Sequence, residues 1–293
     1  MIRPDLASTA ALFPRPPITR FAPSPTGYLH LGHIVNAIYV WGLARALGGR
    51  VLLRIEDHDR IRSRPVFEAA IVQDLEWLGF EPDEGLVPLY RQSDHDHSYR
   101  RALEQLKVTE HVYACECSRK DIGSERYPGT CRRRGVDEAP DRGVRVALDQ
   151  TPERFQDLLL GPIEQVPAGQ CGDLLLKDRD GNWTYQFAVT VDDLMQRVDL
   201  VVRGEDLLSS TGRQIKLARM LGREVPPHFL HHPLIVKEDG AKLSKAGGDT
   251  GVHELRRAGI RPEDVIGRAA AAVGLLDTVR SIAAADVAAL MRN

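Results

Sequence analysis

Arg20-Phe-Ala-Pro-Ser-Pro-Thr-Gly-Tyr-Leu-His-Leu-Gly-His33 is the stretch that decides how the rest of the chain is read. Residues 18–22 are apolar enough to predict a buried strand. After the loop, Ile34, Val35, Ile38, Trp41 and Leu47 recur at helical spacing until Gly48-Gly49 stop them. A strand, a loop and a helix start place unpaired backbone N–H groups where a polyphosphate can sit. Neither G-x-G-x-x-G nor a Walker loop occurs here. In their place His30 and His33 can donate to phosphate oxygens and Gly32 lets the backbone come close, although the same two imidazoles could simply cap an ordinary helix. Far downstream, Lys242-Leu-Ser-Lys245 lies on a glycine-flanked loop, and Lys242, Ser244 and Lys245 can reach the same phosphates. Two such segments in this order point to ATP chemistry.

Working outward, residues 51–55 read as a second strand ending in Glu56-Asp57. Residues 65–78 read as an amphipathic helix closed by Gly79, and 93–107 as another. That rhythm predicts an α/β fold, a Rossmann-like doubly wound parallel sheet. From 111 to about 170 cysteines and Arg/Gly/Pro clusters replace the alternation, which marks an inserted module. Residues 174–177 and 183–191 flank Asp178-Arg-Asp-Gly181 as a predicted hairpin. A return strand follows at 200–203 and a helix at 209–221, and the tail from 251 is Ala-rich and helical. The expected division is a mobile leader (1–17), a first core half (18–110), an inserted module (111–172), a second core half (173–246) and a helical C-terminal segment (247–293).

The chain has 293 residues, 43% of them apolar, and a formal charge of −2. The apolar content suffices for a sizeable core, and the charge excludes a global basic field, so nucleic acid would need a local surface. Arg126 with Arg132-Arg133-Arg134 is the candidate patch. No stretch is long enough to span a bilayer. Three of the four cysteines fall between 115 and 131, which reads as a metal site in a reducing cytoplasm rather than a disulfide framework. Cys115, Cys117 and Cys131 suit Zn²⁺, whose closed site needs a fourth ligand; His111 and Glu116 are nearby, and spacing nominates none. Cys171 reads as buried and separate. His95, His97, His231 and His232 show no metal spacing and read as surface or packing residues.

Residue chemistry also describes an amino-acid site. Glu56, at a strand's C-terminal end, can hold an ammonium where open α/β sheets bind ligands. A second substrate carboxylate calls for arginine, whose fork takes it bidentately. Arg20 and Arg203 both end predicted core strands, an odd place for arginine without a partner, and Tyr185 can add an aromatic wall with a hydroxyl. The plainer alternative pairs Arg203 with Glu205 or Asp206.

Arg20-Phe-Ala-Pro-Ser-Pro-Thr-Gly27 with His30-Leu-Gly-His33 resembles the HIGH region of class I aminoacyl-tRNA synthetases, in the glutamyl/glutaminyl branch. Arg54-Ile-Glu-Asp57 is similar to the branch's acidic segment, and Lys242-Leu-Ser-Lys245 resembles the KMSKS loop, departing from it with leucine at the second position and Ala246 at the last. The resemblance runs from about 18 to 246. It implies ATP-dependent activation of L-glutamate, with Mg²⁺ accompanying ATP and with His30, His33 and Lys245 as catalytic groups. It also implies ATP contacts at Gly32, Lys242 and Ser244, and a glutamate site built from Arg20, Phe21, Ala22, Pro23, Ser24, Glu56, Tyr185 and Arg203. In shorter relatives it nominates Tyr127 as the fourth zinc ligand. Only residues 247–293 follow the lysine segment, whereas the longer synthetases continue into an anticodon-binding domain. The expectation is therefore a monomeric ligase of the short branch, which transfers glutamate to the queuosine base at the wobble position of tRNA(Asp). The alternatives are a truncated synthetase charging a tRNA 3′ end, or a non-catalytic RNA- or amino-acid-binding paralogue.

Overall fold

The computed structural model of the protein describes residues 2–123, 126–235 and 251–292. Its first elements are α1 (Leu6–Ala11), β1 (Ile18–Phe21), α2 (Leu31–Ala46), β2 (Arg50–Leu53), α3 (Pro65–Leu78) and α4 (Asp96–Thr109). The middle holds β3 (Val112–Cys115), α5 (Arg119–Ile122), β4 (Gly143–Val146), β5 (Glu153–Asp157), β6 (Gly161–Gln165), α6 (Pro167–Cys171) and β7 (Leu174–Lys177). Then come α7 (Tyr185–Met195), β8 (Leu200–Gly204), α8 (Leu208–Met220), β9 (His228–His232), α9 (Val252–Arg257), α10 (Pro262–Ala272) and a 3-10 segment, Ala284–Met291.

β1 and β2 pair in parallel, with Arg20 opposite Leu52. β1 also lies beside β8, where the Asp199 N–H donates to the Ile18 carbonyl at 3.0 Å. A second sheet has the order β6-β5-β9-β8; β8–β9 and β5–β9 are parallel and β5–β6 antiparallel. β3, β4 and β7 form a third, antiparallel sheet. The fold is therefore α/β with mixed sheets, not one wholly parallel sheet. Connection 158–160 is too short for the crossover a parallel neighbour requires, so β6 returns beside β5 antiparallel. Segment 111–172 supplies β3 and β4 to one sheet and β5 and β6 to another.

Helix α2 explains how the layers hold together. From Ile34 to Ala44 it is buried and apolar except at Asn36, as a helix enclosed by packing must be. It packs on β1, β2 and β8 and is also covered by α10 and the Ala284–Met291 segment. Val265, Ile266, Ala269, Leu290 and Met291 thus belong to the same core as Ile38 and Trp41.

The first residues make contacts with distant parts of the chain: Arg3 donates to the carbonyls of Leu290 (2.8 Å) and Leu275 (2.6 Å), and the Tyr39 hydroxyl donates to the Ile2 carbonyl at 2.7 Å. Asp5 accepts from the Ala7 N–H and caps α1. The second limb of the predicted hairpin, 183–191, is α7 instead; only a Lys177–Trp183 bridge survives of the pairing. Its β-branched and aromatic residues favour a strand, but Phe187, Ala188 and Val191 bury one helical face in the core beneath β4 and β7. Among the described residues no helix is long and apolar enough to cross a membrane.

Candidate active site

The C-terminal ends of β1 and β8, the segment beyond β2 and the N-terminus of α2 meet around a cavity of about 560 Å³. Of the sequence-predicted residues, Arg20, Ala22, Ser24, His30, Gly32, His33, Glu56, Tyr185 and Arg203 line it. Phe21 does not: it is buried against Trp41 with ring centroids 5.3 Å apart, leaving only its backbone near the site. Pro23 contributes its carbonyl, which accepts the Glu56 N–H at 3.0 Å and so places that carboxylate. Lys242, Ser244 and Lys245 lie outside the described residues. Asn36, His58, Asp59, Arg62, Asp206 and His232 also line the cavity and were missed. The charged run directly after Glu56, at a strand's C-terminal end, was the signal available for His58, Asp59 and Arg62.

The two readings of His30 and His33 prove compatible. His30 is the N-cap of α2; its Nδ1 accepts the Gly32 N–H, and the Nδ1 of His33 accepts the His30 N–H, each at 3.1 Å. With both Nδ1 atoms accepting, a neutral ring carries its proton on Nε2, the atom that can donate to a phosphate oxygen. A Cβ at Gly32 would stand 2.9 Å from the His30 ring, so a larger residue there would displace that imidazole.

Behind the cavity lies a buried charge network that the sequence reading did not assemble. Arg54, fully buried, donates to Asp193 (2.7 Å), Gln196 (2.9 Å) and Glu56 (3.0 Å), and its Nε stands 3.8 Å from Asp192. Arg20 is not partnerless: its Nε donates to Asp193 at 3.1 Å. Tyr90 and Tyr99 donate to Asp192 at 3.0 Å and Gln92 at 2.7 Å. Burial alone raises the pKa of Asp193, but Arg20 and Arg54 override it and hold the carboxyl below the ordinary range. Burial pushes Asp192 up, opposed by Arg54.

Arg203 differs. It pairs with neither Glu205 nor Asp206; its Nη1 donates to Gln214 (2.7 Å), Nη2 to Thr211 (2.8 Å) and Nε to His231 (3.2 Å). All three acceptors are neutral, and the side chain is 4% exposed. Burial lowers its pKa, Tyr185 beside it opposes this, and the neighbouring Arg20 adds to it. Among the described residues no carboxylate is bonded to Arg203, and a buried guanidinium so placed on a cavity wall can take an anionic group.

Some 111–172 residues form a second cluster. The sulfurs of Cys115, Cys117 and Cys131 lie within 4.8 Å of one another. Cys117 and Cys131 sulfurs stand 3.6 Å apart, and the Tyr127 hydroxyl is 3.4 Å from the Cys115 sulfur. Thiolates 2.3 Å from a tetrahedral ion would be about 3.8 Å apart, so the donor set fits a metal. Tyr127 is fixed from both sides: Arg145 stacks 3.8 Å over its ring, and Gly172 passes so close that a Cβ would overlap the Tyr127 carbonyl at 2.0 Å. Burial and the Cys131 thiol push Cys117 up to about 11. Cys171 is outside the cluster and only partly buried. The arginine patch is partly committed to structure, since Arg132 binds the buried Asp173 (Nε 2.6 Å) and Arg134 binds Glu116 (2.6 Å).

A class I synthetase catalytic domain is what this fold and site define. Residues 18–270 match the family model for tRNA synthetases class I (E and Q), catalytic domain; the chain belongs to that family, and with it to the ligases. It is similar to the Glutamyl-Q tRNA(Asp) synthetase of Symbiobacterium thermophilum, 42% identical over 282 residues, covering 88% of this chain and 87% of that protein. Glutamate--tRNA ligase 2 of Syntrophus aciditrophicus is 40% identical over 273 residues, 85% of this chain but 56% of the relative, so the chain spans just over half of that protein. Among solved structures, a glutamate tRNA ligase from Elizabethkingia meningosepticum, in complex with its amino acid, superimposes with a TM-score of 0.77 at 26% identity, over 94% of this chain and 64% of that one.

Proposed function

We propose that the chain activates L-glutamate with ATP and transfers the glutamyl group to the queuosine base at the wobble position of tRNA(Asp). The observation that carries the amino-acid part is Arg203, a buried cation with neutral partners on the wall of the cavity that also holds Glu56, His30 and His33. In this reading Glu56 receives the substrate ammonium and Arg203 with Tyr185 the side-chain carboxylate, while residues 20–24 form the wall. An α-carboxylate oxygen bonds to the α-phosphorus of ATP, the bond to the bridging oxygen breaks, and pyrophosphate leaves. An acceptor hydroxyl oxygen then bonds to the acyl carbon, the bond from that carbon to the phosphate oxygen breaks, and AMP departs with release of the hydroxyl proton. His30, Gly32 and His33, with Lys242, Ser244 and Lys245, act on the phosphates by positioning and charge stabilisation. Mg²⁺ entering with ATP neutralises phosphate charge.

The core is read as Rossmann-like, segment 111–172 as a zinc-binding, tRNA-contacting module, and the protein as a cytoplasmic monomer. Cys115, Cys117, Cys131 and Tyr127 would hold one structural Zn²⁺. About one zinc per purified chain is expected by elemental analysis, with removal unfolding the module, since such sites supply on the order of 10 kcal/mol. A preparation folded without stoichiometric metal would remove the zinc from this reading.

The queuosine acceptor rests on relatives of that name, and charging decides it. Glutamate should be incorporated into queuosine-containing tRNA(Asp) and not into tRNA(Glu) or tRNA(Asp) lacking queuosine. Incorporation into tRNA(Glu) alone would favour 3′-end charging, the reading supported by the ligase relative at 40% identity. No ATP–pyrophosphate exchange with glutamate under any condition would leave a binding paralogue.

A further inference from the structure

Parallel pairing of β8 and β9 sets Arg203 directly opposite His231, and β5, on the other side of β9, ends at Asp157. The three side chains form a line: Asp157 Oδ2 lies 2.7 Å from His231 Nδ1, and His231 Nε2 accepts from Arg203 Nε at 3.2 Å. His231 and Asp157 are fully buried at their side chains. The same Asp157 oxygen accepts the His231 backbone N–H at 3.1 Å, and its other oxygen accepts the N–H groups of Leu159 and Leu160 at 2.9 Å, so the carboxylate cannot swing away.

Proton positions follow from these contacts. A carboxylate can only accept, so His231 carries its proton on Nδ1 and presents a lone pair at Nε2. That lone pair also lies 3.0 Å from the Thr211 hydroxyl, which accepts from Arg203 Nη2 and turns its own proton toward His231. Burial keeps the imidazole neutral, Asp157 opposing and Arg203 reinforcing. Among the described residues three of the five guanidinium N–H groups are thus held; the other two, one on each terminal nitrogen, are left for the Tyr185 hydroxyl and the cavity. Arg20 shows the contrast, because its Nε is bound to a carboxylate. The neutral acceptors aim Arg203 without cancelling its charge.

We infer that Asp157, His231 and Thr211 are positioning residues that aim Arg203 at the substrate's side-chain carboxylate, and so set the preference for glutamate over its neutral amide. This rests on the proposed glutamate reading. The test is ATP–pyrophosphate exchange by the full chain, with tRNA present, over a glutamate series and a glutamine series. His231→Leu removes the Nε acceptor and should raise KM for glutamate about ten- to a hundredfold, with kcat and KM for ATP within about twofold. His231→Gln, whose amide oxygen can accept from Nε, should recover most of the loss, and Thr211→Val should raise the same KM severalfold. Discrimination against glutamine should fall in proportion.

An unmoved KM, a loss carried equally by ATP, or equal behaviour of the leucine and glutamine variants would overturn the inference. Thermal midpoints report folding, and if His231→Leu does not fold, the isosteric Thr211→Val decides alone. A wild-type chain with no glutamate-dependent exchange defeats the glutamate reading itself. Normal wild-type exchange with unmoved variants defeats only the positioning.

Discussion

Replacing Arg203 by alanine is expected to abolish glutamate-dependent ATP–pyrophosphate exchange while ATP still binds. Truncating one side of a buried, charged hydrogen-bonded contact costs about 2–5 kcal/mol, which is roughly 30- to 5,000-fold in kcat/KM. Lysine should not rescue, because a point charge on a flexible stem cannot replace a planar fork held at three nitrogens. Stability should change little: among the described residues Arg203 has no ion pair to lose, and burial already disfavours its charge. Exchange kinetics, binding of a fluorescent ATP analogue and a thermal midpoint together check the prediction. Normal glutamate activation by the alanine variant would remove Arg203 from the substrate site.

The second large effect is one of stability. Arg54→Leu would leave Asp192, Asp193 and Glu56 buried together without their shared cation. Breaking a buried ion pair from one side costs about 3–5 kcal/mol, a large part of an ordinary folding stability. The thermal midpoint should fall by roughly 6–20 °C. The pH dependence has a definite sign. Asp193 is held below its ordinary 3.8, so in the wild type its contribution is complete above that value and is lost as pH falls through the folded pKa. Without Arg54 the buried carboxyls rise, and a raised carboxyl stabilises below its unfolded pKa and loses that contribution as pH increases. The gap between wild type and variant should therefore be widest near neutral pH and should close below about pH 4. A pH-independent gap, or no gap, would contradict the network.

Local features were readable in the chain and long-range pairings were not. Helix capping and strand ends are set by neighbours in sequence, which is why His30, Gly32, His33 and Glu56 were placed at the cavity from motif and position alone. Arg20 and Arg203 looked alike in sequence, both arginines at strand ends. What separates them is Asp193 on α7, more than 150 residues from Arg20, in a segment whose β-branched residues read as a strand. Taken as a strand, 183–191 hides the fact that Asp192 and Asp193 follow a buried helical face. His231 was set aside for want of metal spacing. Reading His228–His232 as a strand beside β8 would have put it level with Arg203, but parallel register depends on the whole sheet and leaves no local mark. The contacts of Arg3 leave no local mark either, because its partners, Leu275 and Leu290, lie far away in the sequence.

The enclosure of α2 has a consequence for synthesis. This helix, apolar over most of its surface, is complete after residue 46, yet the residues that cover it from α10 and from Ala284–Met291 are translated long after it. At about 5–20 residues per second, a nascent chain would carry that uncovered surface for on the order of 10–50 s. Transiently exposed apolar surface is prone to aggregate, so slowed elongation late in the message would lengthen that window.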